Sequence, residues 1–199
     1  MPPLADHDER RATVAEVAAD LIEQRGLDAV TFREIADAAG TSTAIVSHYF
    51  IDKKDLLRFT YGAAASRARR RLDGQVEAES EVDEKTLVGA VEALLPLDKG
   101  SRRDWRVWFA FWGLAVADPE LAAEQRAHVR GARDELAGLI GRLVALGHLP
   151  EDLDVEDSAR DLLVVVMGLA AQAVFDPKDW PPPRQRAFIA RHIARLSRG

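Results

Sequence analysis

The chain of 199 residues is 47% hydrophobic and 30% charged, which is ordinary for a globular protein, and it contains no cysteine, which excludes disulfides and cysteine-ligated zinc. The formal net charge of −6 at pH 7 argues against a non-specific nucleic-acid binder, which is usually basic. Any DNA contact therefore needs a local site.

The N-terminus lacks the apolar stretch of a signal peptide, and the most apolar run, residues 162–175, is too short to span a bilayer. We read that run as a buried helix. A chain without cysteine also suits a reducing compartment. We therefore expect a cytoplasmic protein with no membrane partner.

Helical periodicity runs through almost every segment, and no segment shows the sustained alternation of a strand. The pattern predicts an all-α fold of about nine helices, and the acidic segment 73–83 is expected to be loop-like at its centre. In chain order the helices are expected over 8–25, 32–39, 43–50, 53–71, 84–95, 103–117, 118–147, 155–175 and from the prolines at 181–183 to 198. We expect a smaller N-terminal domain, residues 1–58, and a larger helical domain, residues 59–199.

The segment 31–54 meets the requirements of a helix-turn-helix. Thr31 and Glu34 form a T-x-x-E capping box at the start of the first helix. In the second helix Val46 and Phe50 are four residues apart and can both point into a core. The opposite face then carries small and polar side chains suited to base edges and phosphates. A capped hairpin that merely packs is the alternative.

At these residues the chain resembles the TetR family of bacterial regulators. The matching features over residues 10–58 are a first helix ending at Gly26, then T-F-R-E-I-A-D-A-A-G-T-S, then S-H-Y-F-x-x-K-x-x-L-L. The segment S-T-A-I-V-S-H-Y-F is most similar to the BetI-type subgroup, whose known member responds to choline. The family pattern has glycine where Ala44 stands and an aromatic residue where Ser47 stands, so the base contacts are expected to differ.

The resemblance implies a ligand-responsive transcriptional regulator, by family default a repressor, that binds a palindromic operator as a homodimer and is released by a small-molecule effector. It implies phosphate contacts from Thr31, Ser42, Ser47, Tyr49 and Lys53. It implies base-edge contacts from Thr43, Ala44 and His48.

The eighth predicted helix is apolar around most of its circumference and must be covered on several sides. A two-fold interface shared with the ninth helix would cover it, and burial within one chain is the alternative. The predicted dimer interface consists of Leu162, Val166, Leu169, Ala173, Phe188, Ile189, Ile193 and Leu196.

The sixth predicted helix carries an aromatic stripe at spacing i, i+3, i+4 and i+7. Such a stripe is more often core than ligand site, and the alternative is a pocket wall whose rings hold a cation. The predicted effector pocket consists of Trp105, Trp108, Phe109 and Trp112 with Met167 and Phe175. A quaternary ammonium such as choline is the effector hypothesis.

Two other classes of function compete with a regulator. An enzyme would need a nucleophile with its base, paired carboxylates or a metal site, and no such motif is present. The histidines lack metal-ligand spacing, so we expect no metal and no cofactor. A helical dimer that has lost DNA binding is the second rival, because residues 1–60 carry seven Lys or Arg against eleven Asp or Glu.

Overall fold

The computed structural model describes residues 4–78 and 82–198, and the described residues form nine α-helices and a final 3-10 turn without any strand. The predicted all-α fold is confirmed. The helices are α1 (Leu4–Arg25), α2 (Phe32–Ala38), α3 (Thr43–Tyr49), α4 (Lys53–Ala78), α5 (Glu84–Glu92), α6 (Lys99–Ala115), α7 (Pro119–Ala145), α8 (Val155–Phe175) and α9 (Pro182–Ile193).

Two side-chain caps and one glycine shape the helix-turn-helix segment. The Thr31 hydroxyl accepts a hydrogen bond from the Glu34 N–H at 3.2 Å, and the Glu34 carboxylate accepts one from the Thr31 N–H at 2.9 Å, which completes the predicted capping box. At the start of α3, Ser42 Oγ accepts a hydrogen bond from the Ile45 N–H at 3.3 Å. Gly40 between the two helices has φ +63°, a backbone conformation that is strained for a residue with a side chain.

Two compact units share the chain, and the first comprises the chain up to Ser66 together with Arg103–Ala123. Its core contains side chains from α1 to α3, the first half of α4, and α6. Tyr61 of α4 and Phe111 of α6 stack with ring centroids 3.9 Å apart and 13° between their planes. Phe111 is fully buried. α6 therefore completes the core of the unit that carries the helix-turn-helix.

This division differs from the predicted domains, residues 1–58 and 59–199, because α6 groups with the first unit. The periodicity of α6 predicts an apolar side but does not say which helices cover it. Val107, Phe111 and Ala115 of α6 lie in the same core as Val46 of α3. Packing between distant segments thus decides the division.

The second unit comprises Arg67–Arg102 and the chain from Glu124 onward. By length and composition, α8 is apolar enough to cross a membrane. Residues 162–175, which taken alone are too short to span a bilayer, form the second part of this 21-residue helix. Burial inside the unit accounts for part of that composition, since residues such as Leu162 and Val166 are buried. α9 packs through Ile189 and Ile193, which are both fully buried.

Several helix boundaries differ from the sequence expectation, among them the end of α4, the start of α6 and the end of α9. α4 continues to Ala78, so the acidic segment expected to be loop-like is helical up to that residue, and residues 79–81 lie outside the described part of the chain. α6 begins at Lys99, because the Asp98 carboxylate accepts a hydrogen bond from the Ser101 N–H at 2.8 Å and caps the helix. α9 ends at Ile193, before the 3-10 turn over Leu196–Arg198.

Candidate nucleic-acid interface

The recognition segment α3 has one buried and one exposed side. Val46 and Phe50, the residue that ends the helix, are fully buried. The residues assigned to base edges and phosphates on this helix are exposed, namely Thr43, Ala44, Ser47 and His48. Tyr49 is half-buried and its ring lies edge-on to the His48 ring, with the centroids 5.4 Å apart. Small and polar groups therefore face solvent on this side of the helix, together with Ile45, which is 42% exposed.

Two of the predicted phosphate ligands, Thr31 and Ser42, act as helix caps. The Thr31 hydroxyl also donates to the Glu34 carboxylate at 2.9 Å, so it has no hydrogen left for a phosphate. The pKa of Glu34 is lowered, chiefly by the hydrogen bond from the Thr31 N–H, so a negative charge stays beside this hydroxyl. The Ser42 hydroxyl hydrogen has no acceptor among the described residues. Ser42 is therefore the better phosphate donor of the two.

Lys54 and Arg58 at the start of α4 form ion pairs with the start of α7. Lys54 Nζ lies 2.6 Å from Asp118 and 3.1 Å from Glu120, and Arg58 lies 3.0 Å from Glu120. The hydrogen bond between Lys54 and Asp118 is the main reason why the pKa of Lys54 is raised and the pKa of Asp118 is lowered. Asp118 also caps α7 by accepting the Leu121 N–H at 3.2 Å.

Lys53 and Arg33 are exposed cations of the same unit. Lys53 Nζ donates to the backbone carbonyl of Asp28 at 3.2 Å, and two N–H hydrogens of its ammonium remain for a phosphate. Arg33, in the first turn of α2, has no ion pair or hydrogen bond with any described residue. The sequence analysis did not select Arg33, although its place in the first turn after the Thr31 cap is visible in the sequence.

The aromatic stripe of α6 forms one cluster in the first unit. Trp105 is only 2% exposed, and its ring centroid lies 4.7 Å from that of Trp108 and 5.9 Å from that of Trp112. Phe109 joins the cluster 5.4 Å from Trp112. Trp105 is therefore part of the core, whereas the indole N–H groups of Trp108 and Trp112 are two buried donors without an acceptor among the described residues.

The other two predicted pocket residues, Met167 and Phe175, lie in the second unit. Met167 is half-buried, but Phe175 is 79% exposed. The assignment of Phe175 to a pocket stays a prediction, although a side chain so exposed does not wall an enclosed cavity of its own chain.

A cavity of about 200 Å³ in the second unit contains none of the six predicted pocket residues. It is lined by Leu72, Asp73, Val76, Glu135, Leu139 and Arg142. Burial raises the pKa of Glu135, although its carboxylate lies 2.8 Å from the Arg69 guanidinium. The cavity thus joins apolar side chains to a carboxylate that is costly to ionise.

The predicted dimer interface is corrected by the burial of its residues. Phe188 and Leu196 are half-buried. The other six belong to the core of their own chain, which was the alternative that the apolar pattern left open, and they are Leu162, Val166, Leu169, Ala173, Ile189 and Ile193. The exposed large apolar side chains of α8 are instead Val164, at 69%, and Phe175.

Residues 14–58 match the bacterial regulatory proteins of the tetR family, and residues 83–198 match the C-terminal part of the BetI-type transcriptional repressors. The chain belongs to the TetR family. Its members are DNA-binding transcription regulators with a helix-turn-helix and are not enzymes, as the sequence analysis predicted. Within the described residues no cluster of His, Asp or Glu is arranged to hold a metal ion.

This TetR-family protein is similar to regulators over nearly its whole length. The HTH-type transcriptional regulator PksA of Bacillus subtilis is 28% identical over 193 residues, which cover 97% of this chain and 92% of PksA. The HTH-type transcriptional regulator BetI of Escherichia coli is 28% identical over 200 residues, with 97% and 98% covered.

Solved structures of regulators share the fold. A transcriptional regulator from Rhodococcus gives a TM-score of 0.81 at 29% identity and covers 95% of this chain, with 96% of its own chain covered. A transcriptional regulator from Saccharomonospora viridis, in complex with choline, gives a TM-score of 0.84 at 25% identity, with 94% and 96% covered.

Proposed function

We propose that this protein is a cytoplasmic, homodimeric repressor that binds a palindromic operator through α3 and is released from it by a small-molecule effector. The observation that supports this function best is the exposed side of α3, where Ala44 and His48 lie opposite the fully buried Val46. Two such helices, related by a two-fold axis and about one turn of DNA apart, read the two halves of a palindrome. Repression is proposed from the match to the BetI-type repressors.

Each exposed side chain has a separate role in this proposal. Base edges are read by Thr43, Ala44 and His48. Phosphates are bound by Ser42, Ser47, Tyr49 and Lys53. Thr31, whose hydroxyl is committed to Glu34, contributes by capping α2, and Arg33 supplies the phosphate contact there because its guanidinium is exposed without a partner among the described residues.

The DNA-binding test is a fluorescence-anisotropy titration of the duplex that flanks the regulator's own gene, over a series of salt concentrations. Lys53→Ala and Arg33→Ala are each expected to weaken binding to all sequences and to make the slope of log Kobs against log salt less steep by about 1.8, because the dimer loses one phosphate contact of about 0.9 in each subunit. His48→Ala is expected to weaken only the specific complex, by roughly tenfold. Lys178→Ala, an exposed lysine of the second unit, is the matched control and leaves both quantities unchanged.

Binding that persists unchanged in Lys53→Ala, Arg33→Ala and His48→Ala would place the DNA on another surface. If no salt-dependent complex forms with the flanking duplex or with duplexes selected from random sequence, the protein is a helical dimer without DNA binding.

The dimer is proposed to form through the exposed face of α8. Val164, Gly168, Ala171 and Phe175 recur every three to four residues and therefore share one side of the helix. Val164 and Phe175 are the large exposed apolar residues there, and Gly168 has open space around it, which allows close approach of a second helix. A face of this kind is costly to leave in water and fits a second copy of itself.

Sedimentation velocity of Val164→Asp tests this interface. We expect the dimer dissociation constant to rise by at least about a hundredfold, because a carboxylate is buried against its own copy. Val116→Asp, at an apolar residue just after α6 that is 89% exposed, is the matched control and is expected to stay dimeric. A Val164→Asp protein that remains a dimer at the same concentration would exclude this face.

The effector is proposed to be a small quaternary ammonium ion. The regulator from Saccharomonospora viridis was solved in complex with choline, and α6 of this chain provides several ring faces to a cation. The planes of Trp105 and Trp112 are 88° apart, and those of Phe109 and Trp112 are 76° apart, so the faces point in different directions as the walls of a cation box do.

A tryptophan-fluorescence titration tests the effector class. Trp180 is the one tryptophan of the sequence outside the stripe, so Trp180→Phe leaves a signal from the three stripe tryptophans alone. We expect a saturable change with choline, parallel release of the operator duplex, and no change with the uncharged isostere 3,3-dimethylbutan-1-ol. Equal responses to both compounds, or no response to choline, would contradict a quaternary ammonium effector.

A further inference from the structure

Arg11 of α1 lies against aromatic side chains at the end of α3 and in α4. Its guanidinium carbon is 4.3 Å from the ring centroid of Phe59 and 5.1 Å from that of Phe50. The two rings meet edge to face with their centroids 5.7 Å apart. A guanidinium at these distances is attracted electrostatically to both rings. A single side chain of α1 thus holds together the end of α3 and the first turns of α4.

Asp55 links the same guanidinium to the turn between α3 and α4. Arg11 Nη2 lies 3.6 Å from Asp55 Oδ1, and Asp55 Oδ2 accepts a hydrogen bond from the Ile51 N–H at 3.2 Å. Phe50, the residue before Ile51, ends α3 and is fully buried. Arg11 therefore fixes the chain at the point where it leaves the recognition helix.

These contacts are shielded from water to a large extent. The side chains of Arg11 and Asp55 are 30% and 31% exposed. Arg11 Nε is buried and has no hydrogen-bond partner among the described residues, so the ring faces and the carboxylate are what hold the group. Arg11 lies before the segment 14–58 that matches the tetR family, and that match assigns it no role.

We propose that Arg11 is a positioning residue for DNA binding, which sets the direction of α3 from its buried side without touching DNA. The proposal rests on the proposed function of α3. A seven-residue helix is about 10 Å long, so a tilt of about 15° moves its far end by about 2–3 Å. Hydrogen bonds to base edges do not tolerate such a shift, whereas flexible lysines still reach phosphates.

The test compares Arg11→Met and Arg11→Lys with the wild-type protein on two duplexes, one selected from random sequence with the wild type and one of unrelated sequence. We expect Arg11→Met to lower the ratio of specific to non-specific affinity by roughly tenfold, while the salt slope stays unchanged. Arg11→Lys keeps the charge but loses the planar group that covers both rings. Its ratio of specific to non-specific affinity is therefore expected to lie between those of the wild type and Arg11→Met. Asp55→Asn is expected to change the ratio in the same direction.

The readouts separate positioning from other roles. A merely less stable protein loses affinity for both duplexes equally, so an unchanged ratio in Arg11→Met overturns the proposal. A salt slope less steep by about 1.8 also overturns it, because that change marks a direct phosphate contact of Arg11 in each subunit of the dimer. Failure of the wild type to select any sequence would instead refute the proposed function of α3.

Discussion

The ammonium group of Lys54 lies 2.6 Å from the carboxylate of Asp118, which joins the first turn of α4 to the turn between α6 and α7. A DNA phosphate and Asp118 would have to share the same ammonium. Lys54 already donates to Asp118 and Glu120, so one N–H hydrogen of its ammonium remains for a phosphate, and the two carboxylates compete with that phosphate for the positive charge.

The substitution Asp118→Asn is expected to strengthen DNA binding without sequence preference. The introduced asparagine would still cap α7, but Lys54 would lose one of its two carboxylate partners and a negative charge would be removed. We expect affinity for any duplex to rise several-fold and the salt slope to steepen by up to about 1.8, which is about 0.9 for each subunit of the dimer, as measured by anisotropy. Asp152→Asn, the same change at an exposed residue of the second unit, serves as the control. Equal affinities of the Asp118→Asn and wild-type proteins would show that the pair of Lys54 and Asp118 does not limit DNA binding.

The capping box at the start of α2 predicts an acid-dependent loss of stability. The pKa of Glu34 in the folded protein is lowered from its ordinary value of 4.5. The stability that the ionised Glu34 carboxylate contributes is therefore complete above pH 4.5 and is lost as the pH falls through the folded pKa. Thr31→Ala is expected to lower the free energy of unfolding by about 1 kcal/mol at pH 7, and by less at pH 3, while Thr31→Ser keeps the cap. Urea unfolding at both pH values measures the difference. An equal loss at both pH values would mean that Glu34 does not take part.

Leu162 and Val164 are two residues apart on α8 and are expected to respond in opposite ways. Leu162→Ala empties a fully buried site and should lower the free energy of unfolding by about 2–4 kcal/mol at any protein concentration. Val164→Ala should affect stability only through the dimer, so its effect should depend on protein concentration. Urea unfolding at two concentrations distinguishes them. A concentration-dependent effect of Leu162→Ala would restore that residue to the interface.

Glu135→Gln is expected to stabilise the second unit at neutral pH, because glutamine removes the cost of keeping a charged carboxylate partly buried. Burial raises the pKa of Glu135 in the folded protein. The stability that the protonated carboxyl contributes is therefore complete below the ordinary value of 4.5 and is lost as the pH rises through the folded pKa. The gain from glutamine should therefore shrink from pH 7 to pH 4, as measured by thermal unfolding. Destabilisation at pH 7 would mean instead that the ion pair with Arg69 outweighs the cost of burial.

Local chemistry was predictable from the sequence. The capping box of Thr31 and Glu34 and the bounds of α8 both follow from neighbouring residues, and both appear in the structure as expected. The exposed side of α3 was also predictable, because Val46 and Phe50 mark its opposite side by their spacing alone.

Contacts between distant segments were not predictable in the same way. The ion pair of Lys54 and Asp118 joins helices whose packing no local pattern reveals. α8 is apolar on nearly every side, so periodicity could not separate Leu162, which is buried, from Val164, which is exposed. Arg33 was missed because a lone arginine in a helix is usually a solvated surface residue, and only its lack of a partner among the described residues distinguishes it.

The stacking of Tyr61 on Phe111 has a consequence for engineering hybrid regulators. Because α6 fills the core beneath the helix-turn-helix, residues 1–58 are not a self-sufficient cassette. A chimaera that joined residues 1–58 to a foreign effector domain would leave Val46 and Phe50 in a core that lacks Phe111. Exchange of operator specificity is therefore best made by grafting the exposed side chains of α3 alone, or by transplanting the helix-turn-helix together with its own α6.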